Sequence, residues 1–273
     1  SLLSDTEFDN ISTTGTLTIG QATTKGSDGA GASASPIISG AITLDELTLG
    51  AKNVTLVSSS TINDDDDTGT AIATTGTLTL TSGAAIGASG GGQGLDIDVA
   101  TLVITGTGSG NVTVTEASTL NFGATTVGGT LTAGATTGDI TDSGNLAITG
   151  AAVFKTGATG SNIELNSSGN AFAAQVTMQA DDGSEAFGNI TFVDSAAIDF
   201  ATSASSNGDL YINAGTDGAV GGNLSVTATT GNITDTVALA VTGTSSFTTS
   251  ASNATITLDA TNALASAVTL STT

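Results

Sequence analysis

The sequence predicts an all-β fold, a right-handed parallel β-helix (β-solenoid) of stacked coils, and three observations carry that reading. Apolar residues alternate with Thr, Ser or Asn in many short runs, which puts the apolar residues of each run on one face of a strand. The runs are separated by TG, SG, GG, DG and NG clusters, which supply the positive φ of tight turns. The chain also repeats itself: TTGDITDSGNLAITG, at 136–150, returns as TTGNITDTVALAVTG starting at Thr229, 93 residues on. Aligned without gaps, Val127–Asn166 and Val220–Asp259 share about 20 identities in 40 positions.

In chain order the strand cores read as Leu17/Ile19, Ile42/Leu44, Leu78/Leu80, Leu102/Ile104, Val112/Val114, Leu146/Ile148, Ile163/Leu165, Ile190/Phe192, Leu210/Ile212, Leu224/Val226, Ile256/Leu258 and Val268/Leu270. Their spacing of roughly ten residues gives, at three strands per coil, coils of about 31 residues, or four shorter coils per 93-residue unit. Such short strands bury little alone, so stacking is what creates a continuous core. A β-sandwich is the alternative, disfavoured by the repeat and by an aromatic content of 3%. No stretch shows a sustained 3.6-residue apolar stripe. Residues 1–40 read as an irregular N-terminal entry segment or a decorated coil. Residues 41–273 read as the β-helical rod, with clear repeat copies at 127–219 and 220–273, the second incomplete. The loops INDDDDTG at 62–69 and SGAAIGASGGGQG at 82–94 read as insertions leaving the coil.

Composition bounds the function. The chain has 25 acidic residues, three basic ones (Lys25, Lys52 and Lys155), and a formal charge of −22. Nucleic acid needs a basic footprint, so it is not an expected partner, and an anionic membrane surface is disfavoured for the same reason. No apolar run approaches the ~20 residues that span a bilayer, so membrane insertion is not expected either. The absence of Cys removes disulfides and thiolate chemistry. His is absent too, which excludes Ser-His-Asp triads and histidine metal sites, and the absence of Arg removes the usual anion clamps. A sugar cleft normally offers stacked aromatics, and here Tyr211 is the one Tyr and Trp is absent. The expectation is therefore a protein that is not an enzyme and needs no cofactor.

Calcium is the one ligand for which candidates exist, because clustered Asp oxygens suit it. Asp64, Asp65, Asp66 and Asp67 precede Thr68 and Gly69, yet an EF-hand register fails where Thr75 stands in place of the bidentate acid. GGQGLDIDV, with Asp96 and Asp98, begins like a calcium-binding nonapeptide but places Asp98 where an apolar residue belongs. Asp181, Asp182 and Glu185 form a third acidic loop. Solvated loops are the simpler reading of all three. Gly106, Gly108 and Gly110 in TGTGSGN imitate a dinucleotide fingerprint, but they lie between two strand cores and read as turn glycines. Eight Asn-X-Ser/Thr sequons begin at Asn10, Asn53, Asn111, Asn166, Asn189, Asn223, Asn232 and Asn253. Several of these Asn directly precede a strand core, which suits turns or coil-to-coil amide ladders.

The units GGTLTAGATTGDITDSGNLAITG and GGNLSVTATTGNITDTVALAVTG, followed by VFKTGATGSNIEL and SFTTSASNATITL, resemble the shafts of filamentous haemagglutinin-like and other giant bacterial surface adhesins. The resemblance covers 127–273 well and 1–126 in style. It lacks the Asn-Pro-Asn-Gly motif of that family's secretion domain. It implies an extracellular, cell-surface structural role as a shaft, filament or surface-layer component, with an adhesin face for a cell-surface ligand as the alternative. Ser stands at position 1, and AVTLSTT at the other end is strand-like without a charged cap. Both suit a processed product or a segment, which either continues into a longer polypeptide or associates with itself head to tail.

Overall fold

The computed structural model describes residues 15–20, 40–65, 69–87, 94–180, 188–201, 209–212 and 220–273. Among them the only regular secondary structure is β, and no helix is long and apolar enough to cross a membrane. Strands pair in parallel with the equivalent strand one coil away, so the chain winds as a β-solenoid.

Three strand columns make the walls over the central region. The first stacks Val112, Leu131, Ala152, Val176 and Leu210. The second stacks Leu120, Ile140, Ile163, Ile190, Leu224, Ser245 and Val268. The third stacks Val127, Ile148 and Phe172. Column positions recur after 19 residues (Val112 to Leu131), 21 (Leu131 to Ala152) or 24 (Ala152 to Val176), and after 34 between Ile190 and Leu224. Most coils are thus shorter than the 31-residue alternative, because many turns between walls need only two to four residues.

Every strand core expected from the alternation falls on a strand, although the strand Ile256–Thr257 stops short of Leu258. Strands without a paired large aliphatic signal add to them: Leu131–Ala135, Ala152–Thr156, Val176–Ala180 and Ser245–Thr249 point Ala, Phe, Met, Ser or Thr inward. The six phenylalanines among the described residues lie in the core, and several pack on one another along it. Phe122 meets Phe154 edge-on at 6.2 Å between centroids, Phe154 meets Phe172 at 6.1 Å, and Phe172 meets Phe192 at 5.2 Å.

The two sequence copies do not occupy equivalent walls. Leu131 lies in the first column, whereas its counterpart Leu224 lies in the second, stacked on Ile190. Ile140 and Ile163 belong to the second column, but Ile233 stacks on Ile198 and under Ile256 in another. Ala152 and its counterpart Ser245 differ in the same way. The 93-residue offset therefore moves the chain one wall around the axis. All walls make the same demand, apolar inward and hydroxyl outward, so one repeat sequence serves any of them.

Corners are set by Gly-Asn pairs. A Cβ at Gly110 would run into the Ala84 carbonyl, one at Gly188 into that of Ser161, and one at Gly222 into that of Gly188. Only a residue without a Cβ lets successive coils approach so closely there.

Candidate functional site

Polar groups that tie each coil to the next form the most extended chemical feature of the molecule. Along one corner the Asp139 carboxylate accepts the Asn162 backbone N–H (2.7 Å), and Asn162 Oδ1 accepts the backbone N–H of Asn189 (2.8 Å) and its Nδ2 (3.0 Å). Asn189 Oδ1 then accepts the Asn223 N–H (2.8 Å), and Asn223 Oδ1 accepts the Thr244 N–H (2.8 Å). Asn53, Asn111 and Asn232 make the same bond to the N–H of Thr77, Thr130 and Thr255. Each amide thereby satisfies an N–H that the strand ladder leaves over at the corner.

A second clamp occurs in both repeat copies. Asp142 Oδ1 accepts the backbone N–H of Asn166 (2.8 Å), and its Oδ2 accepts the Ser167 N–H (3.2 Å) and Asn170 Nδ2 (2.7 Å). The Asn170 Oδ1 turns back to accept the Leu146 N–H (2.8 Å). Asp235, Asp259, Ala260, Asn262 and Leu239 repeat this arrangement residue for residue.

Two carboxylates lie inside the coil at the last inward position of a five-residue strand. Glu116 accepts the Val99 N–H (3.1 Å) and the Ser118 N–H (3.2 Å), and Ala135 stacks beside it. Loss of solvation pushes its carboxyl up to about 7, against the opposing pull of those hydrogen bonds. Asp194, stacked beside Ala228, accepts the Phe172 N–H (3.3 Å), and burial pushes it up to about 6. Small neighbours make the room that both acids need.

The acidic calcium candidates divide by position. Asp64 is buried in the Ile62–Asp64 strand, where its carboxylate accepts the Asp96 N–H at 3.4 Å, and Asp65 is exposed beside it. Asp96 and Asp98 point outward from the Leu95–Ile104 strand, whose inward residues are Leu95 and Ile97. Asp66, Asp67, Asp181, Asp182 and Glu185 lie outside the described residues. Among the described residues no group of three acids is arranged to hold a metal ion. Part of each expected insertion belongs to the coil itself, since Ile86 is buried and bridges Ile62 and Val112. Gly106 and Gly108, at φ 131° and 55°, are turn glycines.

Outward, the second column presents a file of hydroxyls, Thr191, Ser225, Ser246 and Thr269, with a parallel file of Thr227, Thr248 and Ser271 beside it. Tyr211 stands alone on its wall opposite Thr177.

Stacked parallel coils, corner ladders and recurring clamps define a repeat protein of β-solenoid fold. A family model described as Repeats of unknown function (DUF5649) matches residues 109–179 and 215–271, which hold the clearest repeats. No curated protein and no solved structure matches the chain.

Proposed function

We propose that the chain is a structural shaft of an extracellular surface assembly, a rod whose function lies in its length, stiffness and stacking. One observation carries this reading: the exterior is a regular ladder of like side chains from coil to coil, as in Asp139–Asn162–Asn189–Asn223, and not a local cluster of unlike ones. Regular ladders serve stacking, whereas a ligand site needs convergent and dissimilar groups. The strand Val268–Thr272 pairs with Ser245–Thr249 on one side only, and Val268 and Leu270 are 44% and 57% exposed.

A second reading, an adhesin face, rests on the hydroxyl files of the second column, where no side-chain hydrogen bond ties Ser225, Ser246 or Thr269 to a neighbour. Antibody to the folded chain, applied to intact source cells before and after protease shaving, tests the surface assignment. Labelling that shaving removes is expected. Labelling that appears only after lysis contradicts it.

A further inference from the structure

The seven sequons among the described residues fall into two structural kinds. In Asn53-Val54-Thr55, Asn111-Val112-Thr113, Asn189-Ile190-Thr191, Asn223-Leu224-Ser225 and Asn232-Ile233-Thr234 the middle residue is a core side chain no more than 2% exposed. The Asn of each accepts an N–H from the next coil. A glycosyltransferase must hold the whole tripeptide in its own cleft, so reaching these five means drawing a buried residue out of the wall. That exposes a core side chain to water and breaks strand hydrogen bonds on either side of it.

Asn166-Ser167-Ser168 and Asn253-Ala254-Thr255 differ in every one of these respects. Asn253 lies in a turn and Asn166 just ahead of the turn at Ser168 and Gly169, both Asn are exposed, and the middle residue is a half-buried Ser or Ala. Asn166 is held through its backbone N–H by Asp142, and its side-chain amide takes no part in the clamp. Asn253 sits at φ 64°, a left-handed turn position that Asn tolerates, and corresponds in the repeat to Gly160 at φ 72°. The hydroxyls of Ser168 and Thr255, which a transferase reads at the third position, are on exposed residues and bond to no neighbour.

We propose that Asn166 and Asn253 are the N-glycosylation sites of the folded protein, and that the five strand sequons are closed by the fold. The donor is a sugar whose anomeric carbon carries a diphosphate leaving group. The Asn Nδ2 attacks that carbon, the new C–N bond replaces the carbon–oxygen bond, the diphosphate departs with the electron pair, and the amide proton passes to a base of the transferase.

The test treats the folded full-length chain with a soluble transferase acting on Asn-X-Ser/Thr and a nucleotide-activated hexose. A parallel arm uses a membrane transferase and a polyprenyl-diphosphate-linked sugar, and products are mapped by peptide mass. Sugar is expected at Asn166 and Asn253, in the arm that matches the donor source, with at least tenfold lower occupancy at the five strand sequons. Asn166→Gln and Asn253→Gln, both at exposed positions outside the strands, should each remove one site and leave circular dichroism unchanged. Failure of transfer to both Asn in both arms, or comparable occupancy at Asn189 or Asn223 in folded chain, would overturn the proposal.

Discussion

Asn170 has no exposed surface, and its side chain joins the Asp142 carboxylate to the Leu146 N–H, so three coil segments depend on one amide. Replacing Asn170 by Ala leaves that N–H buried without a partner and is expected to cost about 2–3 kcal/mol in urea denaturation. A double-mutant cycle with Asp142→Ala should return a coupling of at least ~0.5 kcal/mol; strict additivity would show that the clamp is not one unit. Glu116 sets a pH dependence. Its folded carboxyl titrates near 7, against about 4.5 when unfolded, so between these values the folded chain binds the proton and the unfolded chain does not. Stability is then fullest below about pH 4.5 with respect to this group, falls as pH rises through 7, and changes by about 3 kcal/mol in all. Asp194 adds a change of the same sign, complete by a slightly lower pH. Urea midpoints measured from pH 5 to pH 8 should decline, and Glu116→Gln should flatten much of the decline. An unaltered slope in that variant would place the effect elsewhere.

At the scale of strands and corners, period-two alternation revealed most strands whose inward pair is Leu, Ile, Val or Phe, but the cores expected from it left out Val54/Leu56, Leu95/Ile97, Leu120/Phe122 and Ile198/Phe200, which carry the same signal. It was silent where the inward pair is Ala133 and Ala135, or Ser245 and Thr249, because small or hydroxylated inward residues do not contrast with the Thr and Ser outside. The corner device had a legible signal that alternation does not capture. Gly-Asn followed by Leu, Ile or Val stands at 110–112, 144–146, 188–190, 222–224 and 231–233, and at all of these but 144–146 the Asn side chain takes the coil-to-coil bond. The buried acids were not legible, since nothing in TVTEAS or TFVDSA marks Glu116 or Asp194 as inward rather than as turn acids. Leu239 tests the inward assignment in the second repeat copy. It is 6% exposed and follows the clamp of Asp235 and Asn262, so Leu239→Asp buries a charge without a cationic partner. A loss of several kcal/mol is expected. Thermal stability equal to that of the parent would refute the assignment.

For the whole molecule, stability comes from a continuous column of side chains and from amide ladders, neither of which involves a cation. Calcium, if the acidic loops bind it, tunes those loops and does not create the fold. Chelation should therefore leave the far-ultraviolet β signal intact, and its collapse would promote a calcium-dependent surface-layer protein over a self-supporting shaft. The solenoid also explains how a 93-residue sequence repeat can ignore the geometry of the coil. Each wall imposes the same rule, so the second copy can begin one wall later without loss of packing. That displacement was hidden in the sequence, because alternation marks a strand and not the wall it joins.

The most direct test of the stacked parallel coils uses pairs of cysteines, which the natural chain lacks. Thr191 and Ser225 are outward neighbours in adjacent coils of one column, where strands lie ~4.8 Å apart, within reach of a disulfide. Thr177 and Ser225 would be neighbours only if the two sequence copies occupied the same wall. After mild oxidation, Thr191→Cys with Ser225→Cys is predicted to cross-link within one chain while Thr177→Cys with Ser225→Cys does not; cross-linking of the second pair, or of neither, would contradict the account.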